Sequence, residues 1–472
     1  MLIIRQLFSR LPHAAAWVAS VCCARSFYFP EDWPWLRPLA PYVFALAVIG
    51  MVLDSSHRAF TGLFVLGFLW THWRFQARAA EMAQVPQASC ARVQFLEYTH
   101  RSKHSGWARM ESSSTVFRMW GIPKGASKGD VYEVSSSRFR PIYCRAHAPG
   151  AFCFLRWNFD KGAGFTLFLD APSKAVAKGT LPLQYRLRAW VQNRLNARYG
   201  SQDRPWVSAL LLGDKSQLSP RDIQLSQSTG IMHVLAISGM HVSLLFHGVA
   251  YVLVLLPLRN KARAAVTLLL LLGVWCYAWI CLMPASVLRA ALFVTWQTLG
   301  RQVLRQSCPI TKAWPVVLVL QLMLRPGDLF DLGFQLSYWV TAVLIYAVPF
   351  FPQRSKIAQW FWLTTLCALA AFPVLVHYFK AFSWGFWLGS LILAPLLLWL
   401  LPLLWVGLLW PDMPGLDQLI LGIFHRALLG LEKISWPYSV YRDFSIYQTF
   451  AWLGLFGFLI SVFIYSQKEN KF

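Results

Sequence analysis

The chain has 472 residues, of which 57% are hydrophobic and only 14% are charged. Soluble domains carry about 25% charged residues, so this composition excludes an ordinary soluble protein and favours a chain that crosses a membrane several times. Basic loops explain part of the net charge of +24, and the remainder points to a polyanionic partner, either anionic lipid or nucleic acid.

Residues 1–75 are predicted to form transmembrane helices. They carry three short apolar runs, at roughly 11–29, 38–53 and 59–73, which charged turn-like breaks separate. Arg5 and Arg10 precede the first run, and no convincing cleavage site follows it. We therefore expect a retained first span with its amino end in the cytoplasm.

Residues 76–177 differ from the rest of the chain because they are polar and contain no run long enough to span a membrane. Alternating segments such as "ARVQFLEY" and "GFTLFLD" predict about five short strands, separated by glycine and proline. This pattern suits a small barrel of the OB type, although a β-sandwich is an alternative that alternation does not separate. Three preceding spans would place this domain in the periplasm.

The β domain is basic, with 14 Lys or Arg against 7 Asp or Glu over residues 76–177. A basic OB barrel with exposed aromatic residues is a usual platform for single-stranded nucleic acid. The candidate DNA-binding residues are Arg92, Arg101, Lys103, Trp107, Arg109, Arg118 and Trp120. The alternative is a solvated basic surface over buried aromatic side chains.

The nine cysteines show no metal-like spacing, so we expect neither a metal nor another cofactor. Cys144 and Cys153 flank a Pro-Gly turn and are nine residues apart, so a hairpin would bring them together. We predict a disulfide between them in the oxidising periplasm, with Cys90 as an equal competitor.

Residues 178–227 are predicted to form an amphipathic interfacial helix followed by a loop. Apolar residues recur at helical spacing at Leu183, Leu187, Trp190, Val191 and Leu195, and arginines fill the other faces. Such a helix lies in the membrane interface with its arginines among the headgroups. A DNA-facing role for the arginines is the alternative.

Residues 228–472 are predicted to form a transmembrane channel domain, with spans at roughly 240–257, 264–283, 285–304, 313–324, 332–350, 357–379, 385–410 and 447–465. The stretch "GIMHVLAISGMHVSLL" at 230–245 opens this part with polar residues where lipid-facing helices are apolar. A helix broken near Ser238 and Gly239 would line a transport path. The alternative is that His233 and His241 only hydrogen-bond between helices.

Arg289 also falls inside a predicted span. A buried arginine must pair with an acid, face water or face a phosphate, and Asp331 is the candidate partner. The alternative is that Arg289 extends to the membrane interface.

Four motifs now indicate a family. The segment 210–245, "MPASVLRAALFVTWQ" at 283–297, "RPGDLFDLGFQLSYWV" at 325–340 and the weaker 372–395 resemble, in order, the signature of the ComEC family of competence proteins. The region 148–169 resembles the end of that family's OB-like domain. The resemblance implies an inner-membrane channel for single-stranded transforming DNA. The implied channel residues are His233, Ser238, Gly239, His241, Pro284, Ser286, Arg289, Asp331, Gln335 and Ser337.

The resemblance also implies partners, namely a periplasmic DNA receptor and cytoplasmic single-strand-binding proteins. The sequence has no Walker A motif, so energy would come from a partner ATPase, a proton gradient or strand capture. It also lacks the H-x-D-x-D-H metal motif of the nuclease-like domain that many family members carry, so no enzyme activity is expected. Lys468 and Lys471 favour a cytoplasmic carboxyl end.

Two alternative functions stay open. One is a small-molecule transporter on the same scaffold. The other is an intramembrane serine hydrolase that uses Ser238 with His233 or His241, although "AISGM" lacks the G-x-S-x-G elbow.

Overall fold

The computed structural model describes most of the chain from residue 175 onward and parts of the segment before it. The described residues are 65–74, 90–99, 102–110, 116–123, 126–135, 139–141, 165–168, 175–235, 237–254, 260–302, 309–348, 355–379, 381–410, 414–434 and 438–440, with the single positions 19 and 76. The chain divides into two compact units, residues 1–186 with 312–331 and residues 187–311 with 332–472.

The first unit is built on a seven-stranded sheet. Its strands are β1 (Cys90–Thr99), β2 (Ser102–Met110), β3 (Val116–Trp120), β4 (Asp130–Ser135), β5 (Phe139–Pro141), β6 (Phe165–Phe168) and β7 (Ala177–Lys178). Their order across the sheet is β5-β6-β3-β2-β1-β4-β7. The pairings are antiparallel except between β3 and β6, which run parallel.

Alternation along the strands gives this sheet an apolar face, as the sequence predicts. Alternate residues such as Val93, Phe95, Phe117, Met119 and Tyr132 expose 2% or less of their surface and form one core. Because successive side chains in a strand point to opposite faces, the intervening polar and aromatic residues share the other face of the sheet.

The first unit also contains the helix α1 (residues 65–74), the helix α8 (Ile310–Leu324), most of which belongs here, and a 3-10 helix (Pro326–Phe330). The side chains of Trp70 and Arg74 donate hydrogen bonds to the carbonyls of Met323 and Leu324, at 2.7 and 2.9 Å. These carbonyls belong to the last turn of α8, where no N–H group of the helix is left to bond them. The two side chains therefore cap its carboxyl end.

The second unit is helical. Its helices are α2 (Leu183–Arg198, whose first turn precedes the unit boundary), α3 (Arg204–Leu212), α4 (Pro220–Ser228), α5 (Gly239–Val254), α6 (Asn260–Ile280), α7 (Ala285–Gln302), α9 (Leu332–Ala347), α10 (Lys356–Phe379), α11 (Phe386–Leu409) and α12 (Leu416–Lys433). Two short strands, β8 (Ala381–Ser383) and β9 (Tyr438–Val440), pair antiparallel.

Several apolar cores hold this unit together, and the two largest are as follows. The larger one joins α2, α3, α11 and α12 through residues such as Leu210, Leu397 and Phe424, which are fully buried. The second joins α5, α6 and α7.

The amphipathic helix α2 buries part of its predicted apolar stripe together with Arg188, which the sequence places among the lipid headgroups. Its buried residues are Arg188, Val191, Gln192 and Leu195, whereas Leu183, Leu187 and Trp190 are exposed. Arg188 donates hydrogen bonds to the carbonyls of Leu212 and Ile280, at 2.9 and 3.3 Å. These residues end α3 and α6, so the buried cation satisfies the carboxyl ends of both helices.

Within the part of the chain that the structure describes, two helices are long and apolar enough to cross a membrane, Ala358–Phe379 and Phe386–Leu409. A 24-residue helix is about 36 Å long, which exceeds the roughly 30 Å of a hydrocarbon core. They coincide with the spans predicted at 357–379 and 385–410. Shorter apolar helices lie at Gly239–Ala250, Ala265–Ile280, Ile310–Leu324 and Leu332–Ile345. The span predicted at 447–465 and the first two apolar runs lie outside the described residues, apart from position 19.

Candidate functional site

The amino end of α5 carries the serine and histidine that stand out in the sequence. Ser238 occupies the position before the first helical residue, and its hydroxyl accepts a hydrogen bond from the backbone N–H of Met240 at 3.2 Å. The backbone N–H of Ser238 donates in turn to Nδ1 of His241 at 3.2 Å. This reciprocal pattern resembles a capping box, with the second helical N–H bound by serine and with histidine in place of the usual glutamate or glutamine at the third helical position.

The same contacts bear on the hydrolase alternative. Ser238 Oγ lies 3.1 Å from Nδ1 of His241, which is the reach that a nucleophile and its base require. A catalytic base also needs a third group that orients it. His241 is 4% exposed, and its Nε2 atom has no hydrogen-bond partner among the described residues. The pair therefore fits helix capping better than nucleophilic catalysis.

The amino end of α7 is fixed beside this cap. Pro284 precedes the helix, and its carbonyl accepts hydrogen bonds from Val287 and Leu288 at 3.0 and 2.9 Å. Ser286 Oγ donates to the carbonyl of Ile237 at 2.8 Å, which ties α7 to the residue before Ser238. The two helices therefore begin close to each other, and the predicted residues Ser238, Pro284 and Ser286 come together.

A strained turn leads into α7. Leu282 and Met283 have φ values of 64° and 48°, the left-handed region that β-carbons disfavour. The N–H of Met283 bonds to the carbonyl of Ala278 at 2.8 Å, in the manner of a helix carboxyl-terminal motif that normally contains glycine. Backbone strain of this kind is frequent beside functional sites.

Arg289 lies on α7 between α5 and α9. Its Nη1 donates to the hydroxyl of Thr341, and the guanidinium carbon lies 5.8 Å from the ring centroids of Phe293 and of Tyr338. A β-carbon added to Gly239 would lie 3.0 Å from its Nη2, so Gly239 provides the space for the guanidinium. The Nε atom is buried without a hydrogen-bond partner among the described residues.

Helix α9 supplies residues that the sequence reading missed. Thr341 and Tyr338 contact Arg289, and the Thr341 hydroxyl also donates to the carbonyl of Ser337 at 2.6 Å. Their signal in the sequence is weak, since Thr341 follows Ser337 by one helical turn inside an apolar run. Gln335 is half-buried on the same helix. Asp331 belongs to the first unit, so its predicted pairing with Arg289 stays a prediction.

His233 lies apart from this cluster, near the amino end of α11. Its Nδ1–H donates to the carbonyl of Gly230 at 3.0 Å, and its ring centroid lies 4.9 Å from that of Phe386. Gly230 has a φ of 74°, and a β-carbon there would lie 2.5 Å from the backbone nitrogen of Phe386. Glycine is therefore required both by the backbone conformation and by the close approach of α11.

The loop before α4 carries the charged residues of the first motif. The carboxylate of Asp214 is buried and accepts hydrogen bonds from Gln192 Nε2 at 2.6 Å and from the N–H of Ser216 at 3.0 Å. Burial lowers the pKa of Lys215 to about 8. Asp222 completes a capping box with Ser219 at the start of α4. Asp214 and Asp222 therefore have structural partners.

The face of the β sheet opposite its apolar core gathers most of the predicted DNA-binding residues. The backbone register pairs Trp107 with Arg118 and Gln94 with Arg109. The guanidinium carbon of Arg118 lies 5.0 Å from the ring centroid of Trp120 and 6.0 Å from that of Trp107. Arg118 itself is 3% exposed. It therefore orients the two tryptophans, which are half-buried, whereas Arg92 on the same face is exposed.

Several predictions fall on residues that the structure does not describe. Arg101, Cys144 and Cys153 lie outside the described residues, and so does the side chain of Lys103. The predicted disulfide stays a prediction.

Comparison with known proteins identifies the family. The model of the competence protein family matches residues 210–468, more than half of the chain. Over 181 residues the chain is 32% identical to the ComE operon protein 3 of Bacillus subtilis (strain 168). That match covers 38% of this chain and 22% of the relative. No solved structure matches. The matched region contains the Ser238 cap, Arg289 and His233. The chain belongs to the competence protein family, as its resemblance to ComEC proteins predicts.

Proposed function

We propose that the second unit forms an inner-membrane channel through which single-stranded DNA enters the cell during natural competence. The observation that carries the proposal is Arg289, a half-buried cation among apolar helices that meets no carboxylate among the described residues of its own unit. Charged residues inside membranes are costly and frequently mark the path of a substrate or ion, and a DNA strand would supply phosphates for Arg289. Family membership supplies the context of competence.

The β sheet of the first unit acts in this proposal as an OB-like platform in the periplasm that receives the strand. Three features of strand pairing support a barrel of this type: the β1–β2–β3 meander, the antiparallel pairing of β1 with β4, and the parallel pairing of β3 with β6. Trp107 and Trp120 would stack bases, and Arg92 and Arg109 would contact phosphates.

The platform is tested by single-stranded DNA binding of the purified full chain. Replacing Trp107 and Trp120 by leucine is expected to weaken binding, because base stacking on an aromatic ring contributes about 1–3 kcal/mol per base. Leucine at the exposed Trp399 of α11 is the matched control. Equal binding by the wild type and the Trp107 and Trp120 variant would contradict the platform.

The proposal requires partners that the chain does not provide. A periplasmic DNA receptor would deliver the strand, and a cytoplasmic ATPase and single-strand-binding proteins would draw it inward. Both termini would lie in the cytoplasm. The chain has no catalytic role in this account, since the Ser238–His241 pair caps a helix.

Labelled DNA given to a strain that lacks the gene tests the channel. We expect DNA to bind the cell surface normally while no strand becomes protected from added nuclease. Complementation with the full chain should restore the protected strand. Normal internalisation in the deletion strain would reject the channel.

A further inference from the structure

Arg289 lies where two helices present their amino ends. Ser286, one turn before it on α7, is hydrogen-bonded to the residue that precedes Ser238, and Nη2 of Arg289 lies beside Gly239, the first residue of α5. Each helix amino end carries the equivalent of about half a positive charge. The guanidinium therefore adds its charge to a region that is already positive.

The groups around the guanidinium do not balance this charge. Its contacts are the hydroxyl of Thr341 and the rings of Phe293 and Tyr338, and Nε is buried without a partner among the described residues. The nearby imidazole of His241 adds a second buried polar group, since its Nδ1 accepts from Ser238 and its Nε2 has no partner there. Arg289 is half-buried, and a cation in this position beside positive helix ends is unfavourable unless water or an anion meets its free N–H groups.

We propose that Arg289 and the amino ends of α5 and α7 form a binding site for one phosphate group of the nucleic-acid backbone. The inference rests on the proposed channel and assigns it a specific contact. A guanidinium donates two parallel hydrogen bonds to a phosphate, and the partial positive charge of a helix amino end attracts the same group. Discontinuous membrane helices use this arrangement for anionic substrates.

The salt dependence of binding tests this site. The full chain is placed in nanodiscs of uncharged phosphatidylcholine, and its affinity for a fluorescent single-stranded oligonucleotide is measured between about 50 and 200 mM KCl. Each phosphate contact contributes about 0.7 to the slope of log affinity against log salt for a single strand. Arg289→Gln is expected to reduce the slope by about 0.7 and the affinity roughly ten- to a hundredfold.

Three variants separate the site from general effects. Arg289→Lys keeps the charge and is expected to keep the wild-type slope. Gly239→Ala places a methyl group 3.0 Å from Nη2, and it should weaken binding although the charge remains. Arg426→Gln removes an exposed charge from α12 and should leave both quantities unchanged. The first two variants keep the test decisive if Arg289→Gln does not fold.

The possible outcomes separate a failure of the phosphate site from a failure of the proposed channel. Wild-type affinity and slope in Arg289→Gln and Gly239→Ala would overturn the phosphate site while leaving the channel standing. No binding by the wild type at any salt concentration would instead contradict the channel. A second experiment measures binding to phosphatidylglycerol vesicles, and Arg289→Gln should bind these vesicles as well as the wild type does. Loss of vesicle binding with unchanged DNA binding would assign the site to a lipid headgroup and overturn the proposal.

Discussion

The backbone N–H of Ser238 donates a hydrogen bond to Nδ1 of His241 at 3.2 Å, which makes the imidazole the acceptor of a helix cap. An imidazole that accepts at Nδ1 carries its proton on Nε2, and a doubly protonated ring has no acceptor at all. The cap at the entrance of α5 therefore requires a neutral His241. A chain that needs a helix to begin here has a structural reason for placing serine and histidine in an apolar segment.

Substitution at Ser238 distinguishes capping from nucleophilic chemistry. Ser238→Ala is expected to destabilise the chain by about 1 kcal/mol, because alanine cannot accept from the helix N–H groups. Ser238→Asn keeps a capping oxygen and should retain both thermal stability and transformation frequency. An asparagine variant that is stable yet inactive would indicate that the hydroxyl itself reacts.

Gly230→Ala is expected to abolish the native packing of α4 against α11. The residue has a φ of 74°, and its β-carbon would overlap the backbone of Phe386. Both effects destabilise, and together we expect a loss of more than about 2 kcal/mol. Gly248→Ala is the control, because a β-carbon there meets nothing within 4 Å. Equal amounts of the two variants in the membrane fraction, with equal melting temperatures, would refute this packing.

How much of this architecture the sequence predicts depends on the range of the interactions. Local periodicity predicts the strands around Phe95 and Phe117 and the helices α10 and α11. The family motifs mark Ser238, Ser286 and Arg289 as candidate channel residues, and the structure places the three close together. Contacts between distant segments leave little signal in the local sequence. The contact of Thr341 with Arg289 and the burial of Arg188 were therefore not predicted.

The face that a helix buries is equally hard to predict. The apolar spacing of α2 predicts an interfacial helix with its arginines among the headgroups, yet Arg188 is buried while Leu183 and Leu187 are exposed. A buried arginine there is stabilised by the carbonyls of Leu212 and Ile280, which only the tertiary structure brings together.

The buried ion pair between Arg198 and Asp417 predicts a loss of stability in acid. Nε of Arg198 lies 2.7 Å from Oδ2 of Asp417, and the hydroxyl of Tyr199 donates to the same carboxylate. Burial alone would raise the pKa of Asp417, but the hydrogen bonds from Arg198 and Tyr199 outweigh it and lower the pKa. A carboxylate with a lowered folded pKa stabilises the fold above its unfolded pKa of about 3.9.

This contribution should disappear as the pH falls through the lowered folded pKa of Asp417. Asp417→Asn and Arg198→Gln are each expected to cost about 3–5 kcal/mol, because each leaves a buried group without its partner. Thermal unfolding of the chain in detergent, from neutral pH downward, measures both effects. If the Asp417→Asn variant lost as much stability in acid as the wild type, the acid sensitivity would belong to other groups.

A disulfide is expected between Cys144 and Cys153 in the β domain. Oxidised pairs are stable in the periplasm, where we propose that this domain lies. Peptide mapping of envelope protein under non-reducing conditions should recover the two cysteines as one linked peptide. Free thiols at Cys90, Cys144 and Cys153 would contradict the bridge and count against the periplasmic placement.

Internalisation of labelled DNA by cells that carry Arg289→Ala or His233→Ala tests the channel most directly. Each variant is expressed at the wild-type level in the deletion strain, with insertion checked in the membrane fraction. The account predicts normal binding of DNA at the cell surface and loss of the nuclease-protected strand, because each residue places a polar group where lipid-facing positions are apolar. Wild-type amounts of protected strand in both variants would contradict the claim that these residues line the path of the DNA.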